Sequence, residues 1–238
     1  MISSGELPLW TPLVWSGYPL LAMASLGIGY PLNWTHLFLP SHWALQIYVL
    51  APFLLAPVFT YAYVRTIGLT RTAALLAALS FTYGGLMTNT YGMNGVPGNA
   101  LMWLPLFLLV IERSLSNSFI LCLIAATLIY SLSILTGHGQ GFLQGGTLAL
   151  AYSLFLVIAN RSNASRYQQW RPFFLVTFAI LLACGVTAFQ ILETMRAARR
   201  SVRATLSADD LGAAGFTFAG ALRSFVAPLF NYLEVTTY

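Results

Sequence analysis

The feature that most limits how this chain can fold is a long stretch without charged residues. Between Glu6 and Arg65, the 58 residues from Leu7 to Val64 include no Asp, Glu, Lys or Arg. Charged side chains keep a folded surface in water, so a soluble domain does not tolerate such a stretch. It also holds five prolines ahead of the first uninterrupted helical run: Pro8, Pro12, Pro19, Pro31 and Pro40. We therefore predict a membrane protein whose N-terminal part is not a simple series of spans.

The overall composition supports this class of protein. The chain has 238 residues, of which 58% are hydrophobic and 7% charged, and its mean hydropathy is +0.75. Its net charge of +5 comes from 11 arginines without any lysine. Most arginines flank apolar runs, where they meet lipid headgroups, so we expect membrane lipids and no nucleic acid as partners. Cys122 and Cys184 lie inside apolar runs and indicate neither a disulfide nor a metal site.

The hydropathy pattern predicts an all-α, polytopic bundle of about six transmembrane helices. We expect an outer loop of short, proline-broken interfacial helices over 1–43, the bundle over 44–192, and an outer amphipathic, Arg-rich segment over 193–238. The predicted spans are 44–64, 72–90, 98–113, 118–135, 143–160 and 172–192.

The arginines predict the orientation of these spans. They occupy alternate connections, whereas the turns 91–97 and 136–142 contain none. Because cytoplasmic loops are rich in arginine, we expect the N-terminal loop and these two turns on the outer side. The alternative is a seventh span over residues 9–30. The arginines of the predicted inner turns are Arg65, Arg71, Arg113, Arg161, Arg166 and Arg171.

The turn Thr136–Gly141 is a candidate site at the outer end of a span. His138 lies beside Gln140, and Gly137, Gly141 and Gly145 recur every four residues. His138 could act as a base or donate a hydrogen bond to a phosphate. The alternative is a structural role, with a capped turn and a close helix approach at the glycines.

A second candidate site is an arginine stripe after the last span. In a helix, Arg196, Arg199, Arg200 and Arg203 share one face, at offsets of three, four and seven residues. Guanidinium groups bind phosphate oxygens bidentately, so the stripe suits a lipid-linked phosphate or pyrophosphate. Attraction to ordinary anionic headgroups is the alternative.

Several motifs together resemble the bacterial YfhO-like family of polytopic membrane proteins, which are similar to GT-C-type glycosyltransferases. They begin with Gly5-Glu6-Leu7-Pro8-Leu9-Trp10-Thr11-Pro12, which resembles the family's first outer loop. The later motifs, in chain order, are Gly17-Tyr18-Pro19, Tyr30-Pro31-Leu32-Asn33, Arg65–Leu75, Trp103–Arg113, Gly137-His138-Gly139-Gln140 and Gln190-Ile191-Leu192-Glu193. The resemblance covers nearly the whole chain.

The resemblance implies a multi-pass protein of the bacterial inner membrane that transfers a sugar from a polyprenyl-phosphate donor on the outer face. It implies that Glu6 and His138 line the catalytic cavity, that Gln140 and the four arginines bind substrate near the phosphate, and that Glu193 orients the arginine helix. The resemblance implies no identifiable cofactor, and it leaves open whether a divalent cation takes part. Family members are longer and carry a preceding helix and a catalytic Asp. The chain is therefore expected to be the N-terminal half of such a core, active only when completed. The alternative is a non-catalytic scaffold, bound to other membrane subunits and derived from a truncated relative.

Overall fold

The regular structure of the protein is helical. The computed structural model describes residues 10–12, 17, 19–85, 87–88, 96–159 and 166–201, and no strand occurs in these ranges. The chain divides into two compact units, Met1–Met195 and Arg196–Tyr238. Two 3-10 helices, Ala24–Leu26 and Pro31–Leu37, precede α1 (Ser41–Thr66), α2 (Arg71–Tyr83), α3 (Val96–Leu101), α4 (Trp103–Arg113), α5 (Phe119–Leu135), α6 (Gly139–Ala159), α7 (Arg166–Val186) and α8 (Ala188–Arg199).

The predicted all-α class is confirmed for the described residues. By length and composition, four helices can cross a membrane: Ser41–Thr66, Val96–Arg113, Gly139–Ala159 and Gln168–Val186. The apolar helix Phe119–Leu135 is shorter, at 17 residues. Each of the six predicted runs corresponds to a helix or a pair of helices.

The N-terminal region is built from turns rather than a regular helix. Among the described residues before Ser41, the only helices are the two short 3-10 segments. Gly27 adopts a left-handed φ of 54°, which ends the first of them. The side-chain amide of Asn33 then donates to the carbonyls of Leu26 and Gly27, both at 2.9 Å. This local bonding satisfies the backbone without a helix, as the proline and glycine content predicts.

Several helix boundaries differ from the prediction, among them the end of α2 at Tyr83 rather than 90 and the start of α7 at Arg166 rather than 172. The run expected over 98–113 breaks at Met102, because Pro105 lacks an N–H and its ring clashes with the carbonyl four residues earlier. The run expected over 172–192 breaks at Thr187, two residues after the helix-weakening Gly185. Helix α6 begins at Gly139 rather than 143, for a reason found in the side chain of His138, described below.

Helix α7 buries one apolar face in the bundle and exposes a second apolar face. On α7, Leu175, Val176, Ala179 and Ala183 are fully buried against α5 and α6. Phe174, Phe178, Leu181 and Leu182 of the same helix are 45–63% exposed. Small residues let membrane helices approach closely, and lipid tails solvate large apolar side chains. A surface helix of a water-soluble bundle would carry polar side chains on such an exposed face.

This packing makes a prediction about the α7 interface. Ala179→Leu should destabilise the fold by about 1–3 kcal/mol, because the added carbons have no space at a fully buried position. Phe178→Leu, at the adjacent exposed position, is the matched control and should change stability by less than about 0.5 kcal/mol. Unfolding of the purified protein in mixed micelles, titrated with denaturing detergent, measures both. Equal effects of the two variants would contradict the packing.

Candidate functional site

A proline in α1 creates the most buried polar site of the bundle. Pro52 has no N–H, so the carbonyl of Tyr48, four residues earlier, lacks its helical donor. The side-chain amide of Asn99, from α3, donates to that carbonyl at 3.0 Å. Asn99 is fully buried, and its Oδ1 accepts a hydrogen bond from the Tyr30 hydroxyl at 3.2 Å. The indole Nε1 of Trp103 donates to the same hydroxyl at 3.1 Å.

This network anchors the N-terminal segment to the bundle. Tyr30, just before the second 3-10 helix, is fully buried and meets the Tyr48 ring edge-on at a centroid distance of 6.2 Å. Burial raises the pKa of Tyr30 well above its ordinary value, so the phenol stays protonated and keeps its donor. The sequence motif that contains Tyr30 therefore reaches three elements at once: α1, α3 and α4.

The turn before α6 lies directly against the N-terminal segment. Gly137 has a φ of 79°, and a Cβ at this position would lie 1.6 Å from the carbonyl oxygen of Ala24. A Cβ on Gly29 would lie 2.8 Å from Leu135 and 3.0 Å from Phe189, the second residue of α8. Only glycine fits at position 137, where the neighbour is backbone, whereas at Gly29 the neighbours are the ends of side chains. The N-terminal segment thus contacts the turn before α6 and the start of α8, both distant from it in sequence.

His138 caps α6. Its Nδ1 accepts the backbone N–H of Gly141 at 2.9 Å, which is the bond of an N-cap side chain to the third helical residue. Burial lowers the pKa of the imidazole below its ordinary value of 6.5. The ring is therefore neutral at pH 7, with its proton on Nε2, and this nitrogen can donate a hydrogen bond but cannot accept one. The geometry favours the phosphate-donor role of His138 over the role of a base.

The glycine ladder makes its close contacts at only some of the predicted positions. A Cβ on Gly141 would lie 2.9 Å from Ala100 of α3, and one on Gly146 would lie 2.3 Å from the Tyr130 hydroxyl. Gly145 has no neighbour closer than 3.9 Å, because it lines a groove. Gln140 is exposed at the start of α6.

The groove between α3, α4, α5 and α6 is apolar and shallow, with a cavity volume of about 10 Å³. Trp103 and Tyr130 contribute its aromatic surfaces, and Ser133 contributes a hydroxyl. That hydroxyl is already bound, since it donates to the carbonyl of Ala100 at 3.1 Å. The groove therefore has space for about one water molecule at most and is no ligand site in this structure.

The arginine stripe is partly described. Arg196 and Arg199 lie in the last turn of α8, Arg200 follows its end, and all three side chains are exposed at offsets of three and four residues. Glu193 lies one turn earlier on the same helix and is partly buried. Cations in the last turn also stabilise the negative end of the helix dipole. The predicted site residues Glu6 and Arg203 lie outside the described residues.

The structure also shows a polar cluster that the sequence reasoning missed. Glu112, at the end of α4, accepts a hydrogen bond from the Tyr152 hydroxyl of α6. The Tyr152 ring meets Tyr63 of α1 at a centroid distance of 6.1 Å. The sequence signal was the recurrence of tyrosine close to the arginine-rich ends of apolar runs. Among the described residues, no group of three or more His, Cys, Asp or Glu side chains could hold a metal ion.

Comparisons with known proteins do not identify the chain. No protein-family model, curated protein or solved structure matches it. The resemblance to YfhO-like proteins therefore stays a prediction. The described structure establishes a helical protein with four helices long and apolar enough to cross a membrane.

The Asn99 site predicts a rescue. Asn99→Leu should destabilise the protein by about 1–3 kcal/mol, because it leaves buried polar groups unpaired. Pro52→Ala restores the N–H that the Tyr48 carbonyl lacks, so Asn99→Leu should cost about 1 kcal/mol less in that background. Unfolding in mixed micelles gives all four stabilities of the cycle. Additive effects would mean that Asn99 does not compensate for Pro52.

The cap at His138 predicts a pH dependence. The native pKa is lowered, so the contribution of the cap is fully present above pH 6.5 and is lost as the pH falls through the lower native pKa. His138→Asn retains a capping acceptor without a titrating group. Its stability should vary less than that of the wild type between about pH 7 and pH 5. His36→Asn, at an exposed position, should keep the wild-type pH profile.

Proposed function

We propose that the chain forms part of a GT-C-like core in the bacterial inner membrane, which transfers a sugar from a polyprenyl-phosphate donor on the outer face. The observation that carries the proposal is the contact of Gly137 with Ala24 and of Gly29 with Phe189. These contacts bring together the Gly-His-x-Gln turn, the N-terminal segment and the start of α8. They support a topology of about six spans in which all three lie on the same side.

In the proposed reaction the bond between the sugar C1 and the phosphate oxygen breaks, and C1 bonds to an acceptor hydroxyl. The leaving polyprenyl phosphate keeps the electron pair, and the acceptor proton passes to a carboxylate, for which Glu6 is the candidate in this chain. Charge develops on the leaving phosphate. Donors placed at that charge lower the barrier, which is the role proposed for the stripe Arg196, Arg199, Arg200 and Arg203.

His138 and Gln140 have supporting roles in this proposal. The Nε2 proton of neutral His138 is a hydrogen-bond donor for a phosphate or sugar oxygen, while Nδ1 holds the start of α6 in place. Gln140, the second residue of α6, is exposed and can bond to sugar hydroxyls. Glu193 lies one turn before the arginines and is proposed to orient them.

A transfer assay tests the proposal. Proteoliposomes of the full-length protein are given a polyprenyl-phosphate hexose, and the release of polyprenyl phosphate is measured. Replacing Arg199 and Arg200 with Gln should reduce release about 100-fold or more, because two phosphate contacts are lost in the transition state. Arg223→Gln, in the same tail but outside the stripe, should retain release within about twofold. Unchanged release in the double variant would refute the role of the arginines.

The alternative is a non-catalytic membrane scaffold for other subunits. It is favoured by one observation: Asn99, Tyr30 and the Nδ1 of His138 are already engaged in structural hydrogen bonds. A scaffold should co-purify with defined membrane partners in stoichiometric amounts and should release no polyprenyl phosphate with any donor. Transfer by the purified protein would exclude it.

A further inference from the structure

The end of the bundle opposite the Gly137 turn carries Arg65, Arg71, Arg113 and Arg171, and Glu112 is the carboxylate among the described residues there. This end is defined by contacts: the Gln169 amide donates to the Val157 carbonyl at 2.9 Å, joining the start of α7 to the end of α6. A guanidinium N–H of Arg171 then donates to the Asn117 carbonyl in the turn between α4 and α5. None of the arginines described here, Arg65, Arg71, Arg113 and Arg171, forms an ion pair within the described residues.

Contacts with Asn117 and Phe119 fix the position of the Arg171 guanidinium, which forms no ion pair among the described residues. Its guanidinium carbon lies 5.7 Å from the centre of the Phe119 ring, within range of a cation–π interaction. Its Nε is buried and has no hydrogen-bond partner. A partly buried cation without a counter-ion is costly, since it has lost water and gained no opposite charge. An anion at the exposed edge of this guanidinium would offset that cost.

Two other features add positive potential at the same place. Arg113 ends α4 and is exposed, and its carbonyl accepts the N–H of Asn117 at 2.9 Å, the same residue whose carbonyl accepts from Arg171. The N-cap residue of α5, Ser118, makes no side-chain bond to the first turn, so the positive end of the helix dipole is uncompensated. The nearest carboxylate in sequence, Glu112, accepts from Tyr152 rather than pairing with either arginine.

The surface beside this charge is apolar and exposed, which distinguishes a lipid from a soluble anion. Phe174 and Phe178 follow Arg171 by three and seven residues, so the three side chains share one face of α7. Both rings are nearly half exposed, and they stack with centroids 6.2 Å apart. On α5, the exposed apolar side chains nearest this turn are Ile120, Leu121 and Ile124.

We propose that Arg113 and Arg171 form a binding site for the headgroup of an anionic phospholipid, whose acyl chains lie along the Phe174–Phe178 face of α7. The phosphate diester accepts hydrogen bonds from the exposed guanidinium N–H groups and neutralises the charge at the start of α5. The apolar ridge begins at the level of the charge and runs toward the bundle centre, as the chains of a bound lipid require. The site does not depend on the proposed sugar transfer.

Lipid binding to the purified full-length protein tests the site. Native mass spectrometry in detergent gives the dissociation constants for phosphatidylglycerol and phosphatidylcholine. The wild type should prefer phosphatidylglycerol, and replacing Arg113 and Arg171 with Gln should weaken that binding about tenfold or more. Arg71→Gln, an exposed arginine at the start of α2, is the matched control and should change it less than about twofold. A similar loss in all variants would show general charge attraction and overturn the site.

Two further arms separate the lipid from other occupants. Phe174→Ala should weaken phosphatidylglycerol binding without affecting inorganic phosphate, and millimolar phosphate should not displace the lipid. Displacement by inorganic phosphate, with no effect of Phe174→Ala, would identify a free-anion site and overturn the lipid assignment. If Arg171→Gln does not fold, Arg113→Gln alone provides the test, because Arg113 is exposed at a helix end. Wild-type affinity in that variant would refute the role of the pair.

Discussion

Pro52 leaves the Tyr48 carbonyl without a helical donor. The packing of α1, α3 and the N-terminal segment depends on how that carbonyl is satisfied. In a membrane no water reaches such a group, and each unsatisfied backbone polar group costs several kcal/mol. Asn99 supplies the missing donor, and the bond fixes α3 against α1. Through its Oδ1, the same amide holds Tyr30 and thereby the N-terminal segment. One proline thus links the irregular N-terminal chain to the packing of the helices.

Glycine and alanine set how closely the remaining elements approach. Fully buried alanines, among them Ala126, Ala149 and Ala179, line the contacts of α5, α6 and α7. At the N-terminal segment the contact is between backbones, since Gly137 lies against Ala24 where no side chain would fit. These short approaches gain van der Waals contact where the hydrophobic effect between helices is weak.

The two ends of the bundle differ in their chemistry. At one end the described polar groups are mostly neutral and engaged with each other, as in the Asn99 network and the His138 cap. At the other end Arg113 and Arg171 have no ion pair among the described residues, and Glu112 is bound to a tyrosine. The first end is organised for positioning the backbone, whereas the second presents charge to its surroundings. The two proposed ligands differ accordingly. A lipid-linked sugar is proposed at the end with His138, and a phospholipid headgroup at the end with Arg113 and Arg171.

The sequence alone determined the class of protein. The absence of charge from Leu7 to Val64 and the apolar runs that follow require helices in an apolar solvent, because only hydrogen-bonded helices satisfy the backbone there. The positions of the helices also follow from these runs, and Pro and Gly marked the irregular N-terminal part. The start of α6 and the end of α7 could not be predicted from these runs. The first depends on a histidine cap and the second on a break at Thr187.

Only the tertiary structure decided which polar residues meet. Asn99 lies near the start of a predicted span in the sequence, and its partner is a carbonyl left without a helical donor by Pro52, 47 positions away. His138 is a candidate site residue from the sequence, and its cap bond to Gly141 sets its tautomer and so the chemistry open to it. Arg171 was assigned to a general inner-face charge, whereas its contacts with Asn117 and Phe119 give it a defined place. Such pairings depend on the register between helices, which local sequence patterns do not contain.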